Sequence, residues 1–481
     1  MAILPRSLVA QTSLSVGCFF SDSNCLSLAK APANSGRIAD ERFSRIIEHA
    51  HAKVPFYVDR LRPIPRHIDT LEYLATISVT TKDDVEAHFP DGMTDDSDPA
   101  DWRMMSTRGT AQRLITIQGF AKRDAVRAAQ LRSLRLSGGY RPGMPMVEIP
   151  PEICEIVCGE EGEQEQGVLS HAWGMLRRGQ LRDKKAVRDL RGLVERHWIL
   201  NRKMYPGFGR HGSHPPTEVL DEYLLRLRRD RPYVLKALAT YLVAIARHIH
   251  TENLPPLQIP VIKTMGSRVT PGQRPLLEQA FGGVYWDDYG SAEFGAIACE
   301  CEHHNGLHVF DDFFIVEVVD AEGHPVADGQ RGWIVVTDLM NTTMPLIRYK
   351  IGDVGVIDHQ PCACGRSGPR ITVEGRAHDT LVDSQGGWRT TDDVVDFLEQ
   401  CPGVVAGQVC ALGSQRYELT LIEDTHVALD QEALREQFAE WIGGQPTVKL
   451  QTATTLRPEA GGKFRYVRGD LERSSNHGSV G

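Results

Sequence analysis

Apolar residues recur at helical spacing over Glu41–Ala52, where Phe43, Ile46 and Ile47 form one stripe, and this predicts a helix facing a core. Thr80-Thr81-Lys82-Asp83-Asp84 reads as a second helix start. Near residue 104 the pattern shortens. Met104 to Arg113 carries a Ser/Thr/Gly turn and Leu114–Ile117 is β-rich, so a strand–loop–strand presenting backbone N–H groups and hydroxyls is expected. From about Ala121 to His250 the chain reads as mostly helical and rich in arginine. Within it, Leu224–Arg231 sets Arg and Asp charges around Leu225 and Leu227, the pattern of a solvated helix face.

Thr270-Pro271-Gly272-Gln273 predicts another helix start, with Thr270 as cap, Pro271 in the first turn and Gln273 reaching back. Leu276, Leu277, Ala280 and Phe281 follow on one face, and Gly282-Gly283 stops the helix. Strands are expected over Val284–Trp286, Phe313–Val319 and Gly332–Thr337, with a turn at Glu322–Pro325. Past Gly375 the periodicities describe a compact α/β unit: helix Thr391–Gln400, strands Val404–Leu412 and Tyr417–Ile422, and helix Asp430–Ile442 before Gly443-Gly444. A domain boundary is therefore expected near 376–379. Residues 1–35 read as a poorly ordered N-terminal extension, 36–376 as a large domain with a helical, Arg-rich segment at about 177–250, 377–473 as a small second domain, and 474–481 as a disordered tail.

At about 150 residues per domain, 481 residues are enough for these units. With 41% hydrophobic and 24% charged residues, the chain is globular rather than disordered. A net charge of −9 argues against any general attraction to nucleic acid or anionic membrane. Apolar runs such as Tyr241–Ala246 are too short to span a bilayer, and Val16–Phe20, preceded by a single basic residue, makes a poor signal peptide. Ten cysteines are too dilute for a disulfide scaffold. Four of them form two Cys-x-Cys pairs, which points to a reducing, cytoplasmic setting and a metal. The chain has no P-loop of the Gly-x-x-x-x-Gly-Lys-Ser/Thr type and no Gly-x-Ser-x-Gly elbow.

Four islands carry the chemistry: Ser106 to Arg113; Tyr289-Gly290-Ser291-Ala292-Glu293; Arg348-Tyr349-Lys350-Ile351-Gly352-Asp353 with Gly375-Arg376-Ala377-His378-Asp379; and Arg457 to Lys463. Between Asp288 and Arg376 stand also Glu300-Cys301, Gly306-Leu307-His308, Gly332 to Thr337 and Cys362-Ala363-Cys364-Gly365-Arg366. In this order and approximate spacing the chain, over about Ala52 to Arg465, resembles the adenylate-forming superfamily of acyl ligases and, within it, the phenylacetate–CoA ligase-like branch.

The resemblance implies an α/β fold, with a large adenylation domain of mixed sheets flanked by helices and a small mobile C-terminal domain carrying a catalytic lysine. It also implies roles. Ser106, Thr107, Gly109 and Thr110 would cradle the phosphates of ATP, with Arg113 standing where the family usually has lysine. Tyr289 would pack on adenine, Gly290 and Ser291 would allow close backbone approach, and Glu293 would bind Mg²⁺. Asp353 would accept both ribose hydroxyls, since a carboxylate offers two acceptor oxygens. Arg376 would lie near the ribose and phosphate, Asp379 would serve as hinge, and Lys463 would bridge carboxylate and phosphate oxygens during adenylation.

Cys299-Glu300-Cys301-Glu302-His303-His304, His308 and Cys362-Ala363-Cys364 supply soft ligands from two segments. Cys301, His308, Cys362 and Cys364 are expected to hold a structural Zn²⁺, because four protein ligands close the site; Cys299, His303 and His304 are substitutes. The resulting expectation is an ATP- and Mg²⁺-dependent ligase that converts a small carboxylic acid, an aryl or related acid, to an acyl-adenylate and passes it to CoA. A carrier-protein thiol or an amine remains open as acceptor, as do a homodimer and a catalytically silent zinc-stabilised homologue. The Arg-rich stretch Arg177–Arg231 is expected to reshape the acyl or acceptor pocket, and aromatic and cationic residues there or close by, including Trp173, Trp198 and Tyr205, would admit an aryl acid or a larger polar acid.

Overall fold

The structure is a computed structural model that describes residues 35–61, 70–106, 114–150, 168–177, 179, 190, 194, 200–208, 215–266, 268–424, 427–453, 456 and 465–469. These fall into two compact units. The first comprises the described residues of 121–269 and 273–305, the second those of 35–120, 270–272 and 306–469. Position 376/377 thus lies inside the second unit.

The first unit is built on five parallel strands in the order Arg202–Met204, Met146–Ile149, Val234–Ala237, Val261–Thr264, Val284–Tyr285. Alternation gives its sheet two different faces. Val147, Ile149, Leu235, Ala237 and Ile262 point into an apolar core with the helices Thr217–Asp230, Ala239–Thr251 and Arg274–Phe281. Glu148, Lys236 and Lys263 sit side by side in register on the other face. The helix Phe120–Leu136 reaches that second face, since Gly138, at φ +61°, brings the chain so close that a Cβ there would lie 2.7 Å from Val261.

One local expectation is corrected. The helix after Thr270 begins at Arg274, and its N-cap is Gln273 with no side-chain cap bond; Pro271 and Gly272 form a turn. Gly282 does end it in the left-handed conformation. On Thr217–Asp230 the buried stripe is Leu220, Tyr223, Leu224 and Leu227, while Leu225 is 68% exposed. Tyr205 belongs to the apolar core and donates to Asp230 (2.7 Å); Trp173 is exposed.

The second unit contains an antiparallel array ordered Phe314–Val319, Arg331–Asp338, Tyr349–Asp358, Arg370–Arg376, Leu307–Val309. Its C-terminal part has its own sheet, ordered Thr447–Thr452, Arg416–Glu423, Val404–Gly413, Val467–Arg468, with helices Thr391–Gln400 and Gln431–Ile442. Leu398, Val409, Leu419, Leu421, Leu434 and Phe438 fill the core between them. Thr390 caps its helix through a reciprocal box with Asp393. The hairpin of Leu381–Val382 and Trp388–Arg389 packs on the antiparallel array, Trp388 lying edge-on to Trp333 at 4.9 Å between ring centroids. No helix among the described residues is long and apolar enough to cross a membrane.

Candidate functional site

In the first unit, Asp288–Ser291 and Gly295–Glu300 form an antiparallel hairpin. It presents Tyr289, Gly290, Ser291 and Glu293. Gly290 is required by close approach, because a Cβ on it would stand 2.3 Å from the Gly295 carbonyl oxygen. Ser291 Oγ accepts from the Phe294 N–H (3.4 Å) and so holds the tip closed. Tyr289 is buried, and Glu293 is only 8% exposed on the tip. A carboxylate so nearly desolvated suits a cation partner better than water alone. Just before the hairpin, the Tyr285 hydroxyl donates to Asp287 Oδ1 (2.9 Å), and Arg268 approaches Oδ2 at 3.5 Å. Burial pushes the Asp287 carboxyl up to about 6, against the pull of Arg268.

The same unit contains a charge cluster that the motifs did not reveal. Arg274 donates to both oxygens of Glu300 (2.9 and 3.0 Å), and His304 Nδ1 lies 2.9 Å from Glu300 Oε2. His304 also packs against Trp286, with ring centroids 4.8 Å apart. This commits His304 to the hairpin's flank, away from the role of substitute zinc ligand. Its signal in the sequence was the Arg274/Glu278 pair four residues apart on one helix.

In the second unit, Asp353 and Arg376 face one another across two antiparallel strands. Arg376 Nε lies 2.9 Å from Asp353 Oδ1. The acid is 5% exposed, whereas the arginine side chain is 43% exposed. The pair therefore offers a buried acceptor beside an accessible cation. Its backbone is set by Gly352 (φ +87°) and Gly375 (φ +135°), conformations that side-chain-bearing residues rarely adopt. Beyond it, Arg465 Nε donates to Asp379 Oδ1 (2.6 Å), and Arg465 Nη2 donates to the His378 carbonyl (3.1 Å). Burial, then Arg465, Arg376 and Lys82, lower His378 to about 4, so its contact with Asp379 at 3.6 Å is not an ion pair at neutral pH.

Ser106 is exposed at the end of its strand, paired with Ile115. Thr107, Gly109, Thr110, Arg113 and Lys463 lie outside the described residues, as does Trp198.

His308, Cys362 and Cys364 come together in the second unit, with ligand atoms all within 4.8 Å of one another and Cys364 Sγ 3.3 Å from His308 Nε2. His308 is held by its pairing with Arg370, and Cys362 begins a tight turn closed by the Gly365 N–H to the Cys362 carbonyl (3.0 Å). Two sulfurs and one imidazole at this spacing form a donor set suited to Zn²⁺. Cys301 is buried in the first unit, directly after the strand Gly295–Glu300 and seven residues before His308.

No family model matches the chain. The chain is 26% identical over 366 residues to the phenylacetate–coenzyme A ligase of Thermus thermophilus, covering 72% of this chain and 71% of that one. It is 24% identical over 456 residues to the phenylacetate–coenzyme A ligase of Pseudomonas putida, covering 88% and 91%. Among solved structures, 2-hydroxyisobutyryl-CoA ligase in its postadenylation state with 2-HIB-AMP shares the fold, with a TM-score of 0.64 at 20% identity over 93% of this chain and 92% of that one. The chain is thus similar over most of its length to phenylacetate–coenzyme A ligases, and it shares the fold of 2-hydroxyisobutyryl-CoA ligase.

Proposed function

We propose that this protein activates an aryl or related carboxylic acid with ATP and transfers the acyl group to CoA. The observation that carries the reading furthest is the Asp353–Arg376 pair, a buried carboxylate beside an accessible guanidinium. A ribose needs an acceptor for its hydroxyls and an α-phosphate needs a cation, and the two side chains, on facing strands, would supply them. Tyr289 offers a flat surface for a base.

In the first step a carboxylate oxygen of the substrate attacks the α-phosphorus of ATP. The bond to the bridging oxygen breaks, and pyrophosphate leaves with that electron pair. Glu293 would hold Mg²⁺, which, when bound, draws charge from the phosphate oxygens. Lys463 and the Ser106–Arg113 loop would supply further donors to the polyphosphate. In the second step the CoA thiolate attacks the acyl carbonyl and AMP departs. Residues 377–473 would act as a mobile domain, withdrawing Lys463 between steps, with Asp379 at the hinge.

His308, Cys362 and Cys364, with Cys301 as fourth ligand, would hold a structural Zn²⁺, consistent with a reducing, cytoplasmic setting. Elemental analysis of untagged protein is expected to give close to one zinc per chain, and Cys364→Ser to lower that occupancy. Less than about a tenth of an equivalent in the wild type would remove the zinc site.

ATP–pyrophosphate exchange over aryl, fatty and amino acids tests the function. An aryl or related acid is expected to drive exchange, and CoA then to release AMP and a thioester. Exchange with none of the acids would overturn the reading; exchange followed by transfer only to an amine or a carrier-protein thiol would replace the acceptor.

A further inference from the structure

Lys263 is the third residue of a four-residue buried strand and is 1% exposed. A charged lysine there must be matched by partners, and the structure provides them from two other elements. Its Nζ donates to Asp288 Oδ1 (2.9 Å) and to Ser137 Oγ (2.7 Å). Ser133 Oγ also donates to Asp288 Oδ1 (2.7 Å), and Ser137 Oγ donates in turn to the Ser133 carbonyl (2.8 Å). Every partner lies in the first unit.

Asp288 opens the strand that carries Tyr289, Gly290 and Ser291. Its carboxylate ties that strand at once to the parallel sheet through Lys263 and to the helix end through Ser133. Neither lysine nor serine needs to touch a ligand for this to matter. A displaced strand start would misplace the tyrosine ring and the glycine backbone by a comparable amount, and misplacement of about 1 Å is costly where geometry sets reactivity.

We propose that Lys263 and Asp288 are positioning residues for nucleotide binding, fixing the Tyr289–Ser291 strand for the purine and ribose of ATP. The role rests on the ligase reading above. Fold stability alone is a poor reason for the pair, because a buried ion pair can often be exchanged for apolar residues of similar volume without loss of stability. Positioning and stability therefore separate experimentally.

Lys263→Met leaves Asp288 uncompensated and is expected to be the less stable variant. Lys263→Met/Asp288→Leu removes both charges and is expected to melt close to wild type. In pyrophosphate exchange the double variant should raise KM for ATP about tenfold or more, with KM for the acid and kcat each within about threefold of wild type. Titration of Mg·ATP in the absence of acid should show the same weakening. A wild-type KM for ATP in the double variant overturns the proposal. So does a parallel rise in both KM values, or a loss of thermal stability that tracks the loss of affinity. If wild-type protein exchanges pyrophosphate with none of the acids tested, the ligase reading fails by itself, and the ATP titration still decides whether this pair orders the strand.

Discussion

Lys463→Ala is expected to cut carboxylate-dependent ATP–pyrophosphate exchange by about 10²–10³-fold, the loss that follows removal of one well-aimed electrostatic donor. Thioester formation from a preformed acyl-adenylate should stay within about threefold of wild type. The asymmetry follows from where charge gathers. During adenylation, negative charge crowds onto the α-phosphate as an anionic carboxylate attacks it, and an ammonium group between the two anions lowers that barrier. Thiolate attack on the mixed anhydride instead builds charge on the acyl oxygen and releases AMP, and a cation withdrawn with the C-terminal residues, as proposed above, would contribute little. Measuring each half-reaction separately checks the assignment. Equal loss in both would make Lys463 a general binding residue and would remove the two-position mechanism.

Arg348→Met should destabilise the protein by about 3–5 kcal/mol, the range found when one member of a buried ion pair is removed. Arg348 is 1% exposed. Its Nε and Nη2 meet both oxygens of Glu317 (3.1 and 2.9 Å), while Nη1 donates to the Ile77 carbonyl (2.6 Å) and Nη2 to that of Gly323 (2.8 Å). Burial pushes the Glu317 carboxyl up while this guanidinium pulls it down. Without the arginine, burial acts alone and two carbonyls lose their donor. Urea unfolding reads the loss, and Arg348→Met/Glu317→Leu should recover most of it. A loss below about 1 kcal/mol in the single variant would show that the neighbouring strands rearrange around the gap.

The sequence and the structure agree where the determinants are local. Thr391–Gln400 and Gln431–Ile442 begin after side-chain caps at Thr390 and Asp430, and the second ends at Gly443; spacing and punctuation alone predict both. The start at Arg274 escaped because Thr270 and Pro271 imitate a cap without entering the helix. Leu224 and Leu225 are equally apolar, and only the rotation of the helix about its axis decides which of them faces the core. The site divides in the same way. The Asp353 and Arg376 islands are visible as motifs, but their face-to-face register depends on strand pairing across 23 positions. Lys263 stands in the short run Val-Ile-Lys-Thr, a lysine in an apolar strand that signals a buried partner without saying which acid it is. Arg348 reads locally as one member of a motif, and its burial comes from residues about 270 positions earlier.

The two unlike faces of the parallel sheet set rules for anyone transplanting this scaffold. Helices covering the Leu235 and Ile262 side can be redesigned by volume and shape, since hydrocarbon packing there asks for little else. The helix Phe120–Leu136 and the turn after it are not interchangeable in that sense, because hydroxyls at 133 and 137 must arrive at fixed heights above the sheet. A chimera that keeps every motif but borrows this one helix from elsewhere would leave the Lys263–Asp288 pair without its serine tether, and its first lost property would be geometry rather than solubility.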